Sequence, residues 1–212
     1  MPRLKEREKI IHKPSTHEIF LCLSWMKAYS QILLNATKNK KYSDLLRWLL
    51  DKKFYEGERD KVTIKRIAID CNTKTADVTK FIVEIYEDIF ALNEEKPELF
   101  QDNGIKTELY FRHYDNRCGF SVALPTLPRE FETFKFSFVK AKMGIDWFWV
   151  KKVEHEIENN RTMITVWLEG GSPNKYREFA VEKALFRNDI GLMDVYQKQD
   201  FEIDDELKKM KY

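Results

Sequence analysis

The densest group of titratable side chains in the 212-residue chain is Glu154, His155, Glu156 and Glu158, a set that offers general acid–base chemistry. The surrounding DWFWVKKVEHEIE reads as a strand, and in a strand His155 points away from Glu154 and Glu156, so the four groups do not converge on one proton. His113 with Asp115, and His17 with Glu18, are pairs without a third partner. The second pair lies in Ser15-Thr16-His17-Glu18, a capping box in which Ser15 caps a helix and Glu18 reaches back. Cys22, Cys71 and Cys118 are odd in number and lack the paired spacing of a zinc site. No Walker loop, dinucleotide fingerprint, nucleophile elbow or HExxH motif occurs. These residues predict a protein that is not an enzyme and uses no cofactor and no metal.

The pattern with most content runs from Thr63 to Leu92 and reads as two helices joined by a tight turn. Ala68 lets two helix backbones approach closely. Asn72, four residues on, is the non-glycine type that best tolerates a left-handed backbone, and Val78, six further, supplies a branched apolar contact. Ile64, Ile67 and Cys71 share one face of the first helix, which Thr63 caps. Val78, Phe81, Ile82, Ile85, Ile89 and Leu92 form the stripe of the second, with Thr73 or Thr75 as its expected cap. This segment resembles the helix-turn-helix DNA-binding family and, with its flanks, a winged-helix variant over residues 43–125. The resemblance implies that the second helix enters the major groove of double-stranded DNA with its N-terminal end, presenting Lys74, Thr75, Asp77, Thr79 and Lys80. Lys65 and Arg66 on the first helix join that surface, and Glu84, Glu87 and Asp88 must point away from it.

Flanking elements position this pair. Residues 1–42 read as a basic arm (Arg3, Lys5, Arg7, Lys9, Lys13) followed by one amphipathic helix from Ser15 to Asn35, and Lys38, Lys40 and Lys41 lie in the loop after it. Ser43 caps a third helix, DLLRWLLDKKF, and a loop containing Gly57 leads to Thr63. Downstream, IKTELYFRHY, the turn DNRCG and FSVALP form a hairpin where a wing belongs. Leu109, Phe111 and His113 lie on one face, Glu108, Tyr110 and Arg112 on the other, with Arg112 and Arg117 available to DNA. After Pro125 to Pro128 the chain reads as strands: FKFSFVKAK, DWFWVKKVEHEIE, RTMITVWLE and KYREFAV. Glu182 to Phe186 reads as a short helix or a strand, and Phe201 to Tyr212 as a fraying end. The fold class expected is α+β, with an N-terminal helical, winged domain at 43–125 and a small antiparallel sheet or barrel at 126–212.

Hydrophobic residues at 43 % and aromatics at 14 % place the chain among globular proteins. Net charge is only +2, but residues 1–80 hold 18 Lys+Arg against 10 Asp+Glu, a net +8, and residues 81–212 hold 19 against 25, a net −6. Such asymmetry suits a basic end that meets a polyanion and an acidic end that meets something else. The start MPRLKEREKIIHK has neither the apolar core nor the cleavage site of a signal peptide, and no apolar run spans a bilayer, which predicts a cytoplasmic protein without membrane contact. The sequence therefore points to a transcriptional or replication regulator, with a protein partner or self-association through its C-terminal part. The alternatives are an assembly protein of a phage-like or mobile-element complex, and an RNA-binding protein whose aromatic sheet stacks bases.

Overall fold

The structure is a computed structural model that describes residues 10–37, 40–53, 58–159, 161–198 and 200–210. The expected contacts at Arg3, Lys5, Arg7, Lys9 and Lys38, and the loop glycine Gly57, lie outside the described residues. Two compact units make up the chain, Met1–Gly171 and Ser172–Tyr212.

In the first unit, Ser15 caps α1 (Thr16–Trp25) by accepting from the Glu18 amide at 3.2 Å. The Glu18 carboxylate does not complete the box; it meets His12 Nε2 at 3.1 Å. The single helix expected up to Asn35 is broken at Met26, and α2 (Lys27–Ala36) follows. The break carries Tyr29 into a ring cluster with Phe100, Phe120 and Phe138, at centroid distances of 5.0–5.5 Å. It also lets Lys27 Nζ donate to the carbonyls of Leu50 and Lys52 at the end of α3 (Ser43–Asp51), where a cation suits the helix terminus. The α3 cap is Tyr42 rather than Ser43. Helices α4 (Ile64–Asp70) and α5 (Thr75–Glu95) follow, and α5 buries Val78, Ile82, Ile85, Tyr86, Ile89 and Leu92.

Strands β1 (Ile105–His113), β2 (Asn116–Leu124), β3 (Thr133–Lys135), β4 (Trp147–Glu158) and β5 (Arg161–Gly170) form one five-stranded sheet in the order β2-β1-β5-β4-β3. The alternation expected in β1 holds at Leu109 and Phe111, both buried, and at Glu108 and Tyr110, both exposed. The hairpin turn is Tyr114 and Asp115, with Tyr114 at φ 52°, so Gly119 lies inside β2 opposite Tyr110. The sheet is mixed, because β1 pairs with β5 in parallel, from Glu108 opposite Thr165 to Arg112 opposite Glu169. The expected separation at 125/126 is therefore crossed by the sheet itself. The segment FKFSFVKAK is strand only over β3; Phe136, Phe138, Val139, Ala141 and Met143 are all buried, and a 3-10 turn and the short helix α6 (Lys140–Met143) replace alternation.

In the second unit KYREFAV is not a strand but the start of α7 (Lys175–Phe186), capped by the Asn174 side chain accepting from the Arg177 amide at 3.1 Å. Two further helices, α8 (Leu192–Gln197) and α9 (Asp200–Lys209), complete the unit, and Ile203 and Leu207 of α9 are buried with Ala180, Val181 and Ala184 of α7. The C-terminal region expected to be a sheet is thus strand through β4 and β5 and helical after Gly171, and Glu182 to Phe186 takes the helical of its two expected forms.

Strand β2 is an edge of the sheet, and Asn93 of α5 closes it. Asn93 is 3 % exposed; its amide donates to the Ser121 carbonyl and accepts from the Ser121 N–H, both at 2.8 Å. The side chain stands in for a neighbouring strand's backbone. Asn93→Ala leaves both backbone groups without a partner and is expected to destabilise the chain by about 2–4 kcal/mol, measured as a fall in the denaturant midpoint.

Candidate nucleic-acid interface

The Thr63 hydroxyl accepts from the Arg66 amide at 3.2 Å and starts α4. The helix ends in a Schellman arrangement: Asn72 takes φ 48°, its N–H donates to Ile69 O at 3.2 Å, and the Thr73 N–H donates to Ala68 O at 2.9 Å. The αL residue is the asparagine that the sequence offers for it. Lys74 then caps α5 without a side-chain hydrogen bond, so neither Thr73 nor Thr75 serves as the cap. Ile67, Ala68, Val78 and Ile82 are buried, so a small residue and three branched ones fill the ground between α4 and α5.

This turn leaves the leading end of α5 in solvent. Lys74, Thr75, Ala76, Thr79 and Lys80 are exposed and Asp77 is half-buried, while Lys65 and Arg66 are exposed on α4. Arg66 is held by Asp70 at 2.9 Å and Lys80 by Glu84 at 3.6 Å, both one helical turn away. Lys65 and Lys74 make no ion pair among the described residues. The Thr79 hydroxyl donates to the Thr75 carbonyl at 3.1 Å, within the same helix. Asp70, which the sequence does not single out, also accepts from the Trp48 indole at 3.3 Å and lies 4.0 Å from Lys52 Nζ, tying α4 to α3.

Arg112 and Arg117 do not join this surface. Strand β2 crosses the far half of α5, and Arg117 lines a groove of about 670 Å³ together with Glu87, Asp88 and Lys142. Glu87 lies twelve residues beyond Thr75, about 18 Å along the helix at 1.5 Å per residue. Arg112 pairs with Glu169 of β5 at 3.9 Å. The hairpin packs as part of the five-stranded sheet, against the far half of α5.

Several other titratable groups sit in structural pairs. Lys142 holds Glu87 at 2.7 Å, and Lys40 and the Tyr42 hydroxyl hold Asp88. On β4, Glu154 receives hydrogen bonds from Lys152 and Trp167, which lower its carboxyl below the usual range, and His155, the next residue of the strand, falls on the other face. Among the described residues no three His, Cys, Asp or Glu side chains gather as a metal site, and no helix is long and apolar enough to cross a membrane. Alternation predicts Tyr110 on the outer sheet face. Its partner Trp167, stacked at 4.9 Å and 19°, follows only from the parallel β1 and β5 register.

Ala68→Leu is expected to push α4 off α5 and cost about 1–3 kcal/mol in a denaturant titration. Burial pushes the Cys22 thiol up to about 11 and the Cys118 thiol up to about 12. At pH 8 about one Cys22 in a thousand is then thiolate, and in the native chain both residues should resist a maleimide until denaturant is added. Comparison with protein-family models, with curated proteins and with solved structures finds no match to this chain.

Proposed function

We propose that this chain is a non-enzymatic DNA-binding protein, a transcriptional or replication regulator, that places the leading end of α5 in the major groove of double-stranded DNA. The reading is carried by one observation: Asn72 turns the chain so that α5 begins with Lys74, Thr75, Thr79 and Lys80 uncovered beside Lys65 and Arg66 of α4. Exposed lysines at a helix start are suited to phosphates, and Thr75 and Thr79 are short polar groups of the kind that reach base edges. Arg117, which lies beside Glu87, and Arg112, its register partner on β1 and paired with Glu169, are left out of the interface. A second reading, an assembly protein of a phage-like or mobile-element complex, draws on the exposed Tyr176, Phe179 and Phe186 of the second unit.

In a gel-shift titration on random-sequence duplex DNA, the Lys74→Ala, Lys80→Ala double variant should bind roughly tenfold or more weakly. Its slope of log affinity against log salt should be shallower by about 1.8. Arg117→Ala should bind like the unaltered chain. Equal binding by the double variant and the unaltered chain at low salt would rule out this placement.

A further inference from the structure

Helix α7 is apolar on two opposite faces. One, formed by Ala180, Val181 and Ala184, closes over Ile203 and Leu207 within its own unit. The other carries Tyr176, Phe179 and Phe186, which are 75 %, 61 % and 89 % exposed. Rings of this size leave about 450 Å² of aromatic side chain in water, a large patch for a monomer. Leu192 and Met193, just past the turn that follows α7, add 61 % and 62 % exposed side chains. The three rings alone supply roughly half of the ~800 Å² that each partner contributes to a stable interface.

The spacing says what covers the α7 face. Residues 176, 179, 183 and 186 fall on the a, d, a and d places of a heptad, with Lys183 as the one charged member. Glu182 then occupies a g place and Arg187 an e place, one on each side of the aromatic seam. Both are exposed, and neither makes an ion pair among the described residues. When two such helices pair in parallel about a two-fold axis, each g residue meets the e residue five positions on in the other helix. Glu182 therefore faces Arg187 of a second copy, twice per pair. Lys183 meets its own counterpart in this register, an a-place lysine of the kind that fixes register at a cost in stability. An antiparallel pairing that sets Phe179 against Phe186 would bring Glu182 beside both Glu182 and Lys183 and would leave Arg187 without Glu182 opposite it.

We propose that α7 is a homodimerisation helix, and that its occupant is the α7 of a second copy of this chain, parallel and in register. Phe179 and Phe186 pack against their own counterparts, and Glu182 with Arg187 sets the direction.

Sedimentation equilibrium of the full chain is expected to give a dimer, and Phe186→Glu a monomer with unchanged far-ultraviolet circular dichroism. Glu182→Arg and Arg187→Glu should each weaken the dimer about tenfold, since either change sets two like-charged pairs together, and the two combined should restore it. An unaltered chain that stays monomeric to about 100 µM would overturn the proposal. So would single reversals as tight as the unaltered chain, or a double variant no tighter than the single ones.

Discussion

The arrangement of the first unit depends on the burial of one stripe along α5. Ile82, Ile85, Tyr86 and Ile89 are all within about 1 % of complete burial, each contributing roughly 2 kcal/mol by removal from water. The stripe is met by α1 to α4 and by β2. Tyr86 fixes its rotation, donating its hydroxyl to the Phe138 carbonyl at 2.7 Å from inside a ring cluster with Phe90 and Phe138. Burial pushes that phenol far above its usual range, so the hydroxyl stays a donor. A helix of 21 residues spans about 31 Å, more than the sheet occupies in contact with it, and its leading turns are left over.

What the sequence made legible is what neighbouring residues decide. The Thr63 cap needs only an amide three residues on, and the left-handed Asn72 needs only a side chain that tolerates positive φ. Strand β1 is half-buried, so its alternation is written in it. The break at Met26 is not local: it is imposed by the ring cluster that receives Tyr29 and by the α3 carbonyls that receive Lys27. KYREFAV misleads for a related reason. Its aromatic and β-branched residues suit a strand by type, yet their i, i+3, i+4 spacing, the Asn174 cap and the burial of Ala180, Val181 and Ala184 select a helix with apolar residues on two sides.

The placement of the hairpin follows the same division. The local turn between β1 and β2 can be read from the chain, but the partner on the other edge of β1 cannot. Pairing of β1 with β5 joins segments more than fifty residues apart, and it makes the prolines at 125 and 128 a connection within one sheet. A shift in composition there marks a loop over a surface, not the end of a core. The hairpin arginines consequently belong to the sheet, and the distance along α5 separates them from Lys74 and Lys80.

The charge asymmetry between the two parts of the sequence has a structural counterpart within α5 itself. Three of its acidic residues are paired: Glu84 faces Lys80, Glu87 is held by Lys142, and Asp88 by Lys40 and Tyr42. Two of these cations, Lys40 and Lys142, come from outside the helix, so forming the unit neutralises Glu87 and Asp88 on the half of α5 that packs and leaves Lys65 and Lys74, with Asp77, to set the field at its leading end. Paired charges a few ångströms apart cancel beyond a Debye length of about 10 Å, whereas unpaired ones persist to it. A polyanion approaching α5 would therefore meet attraction at its leading end without equal repulsion from the acidic residues behind it. For the proposed interface, it is folding, rather than the sequence composition of the helix, that determines the sign of that field.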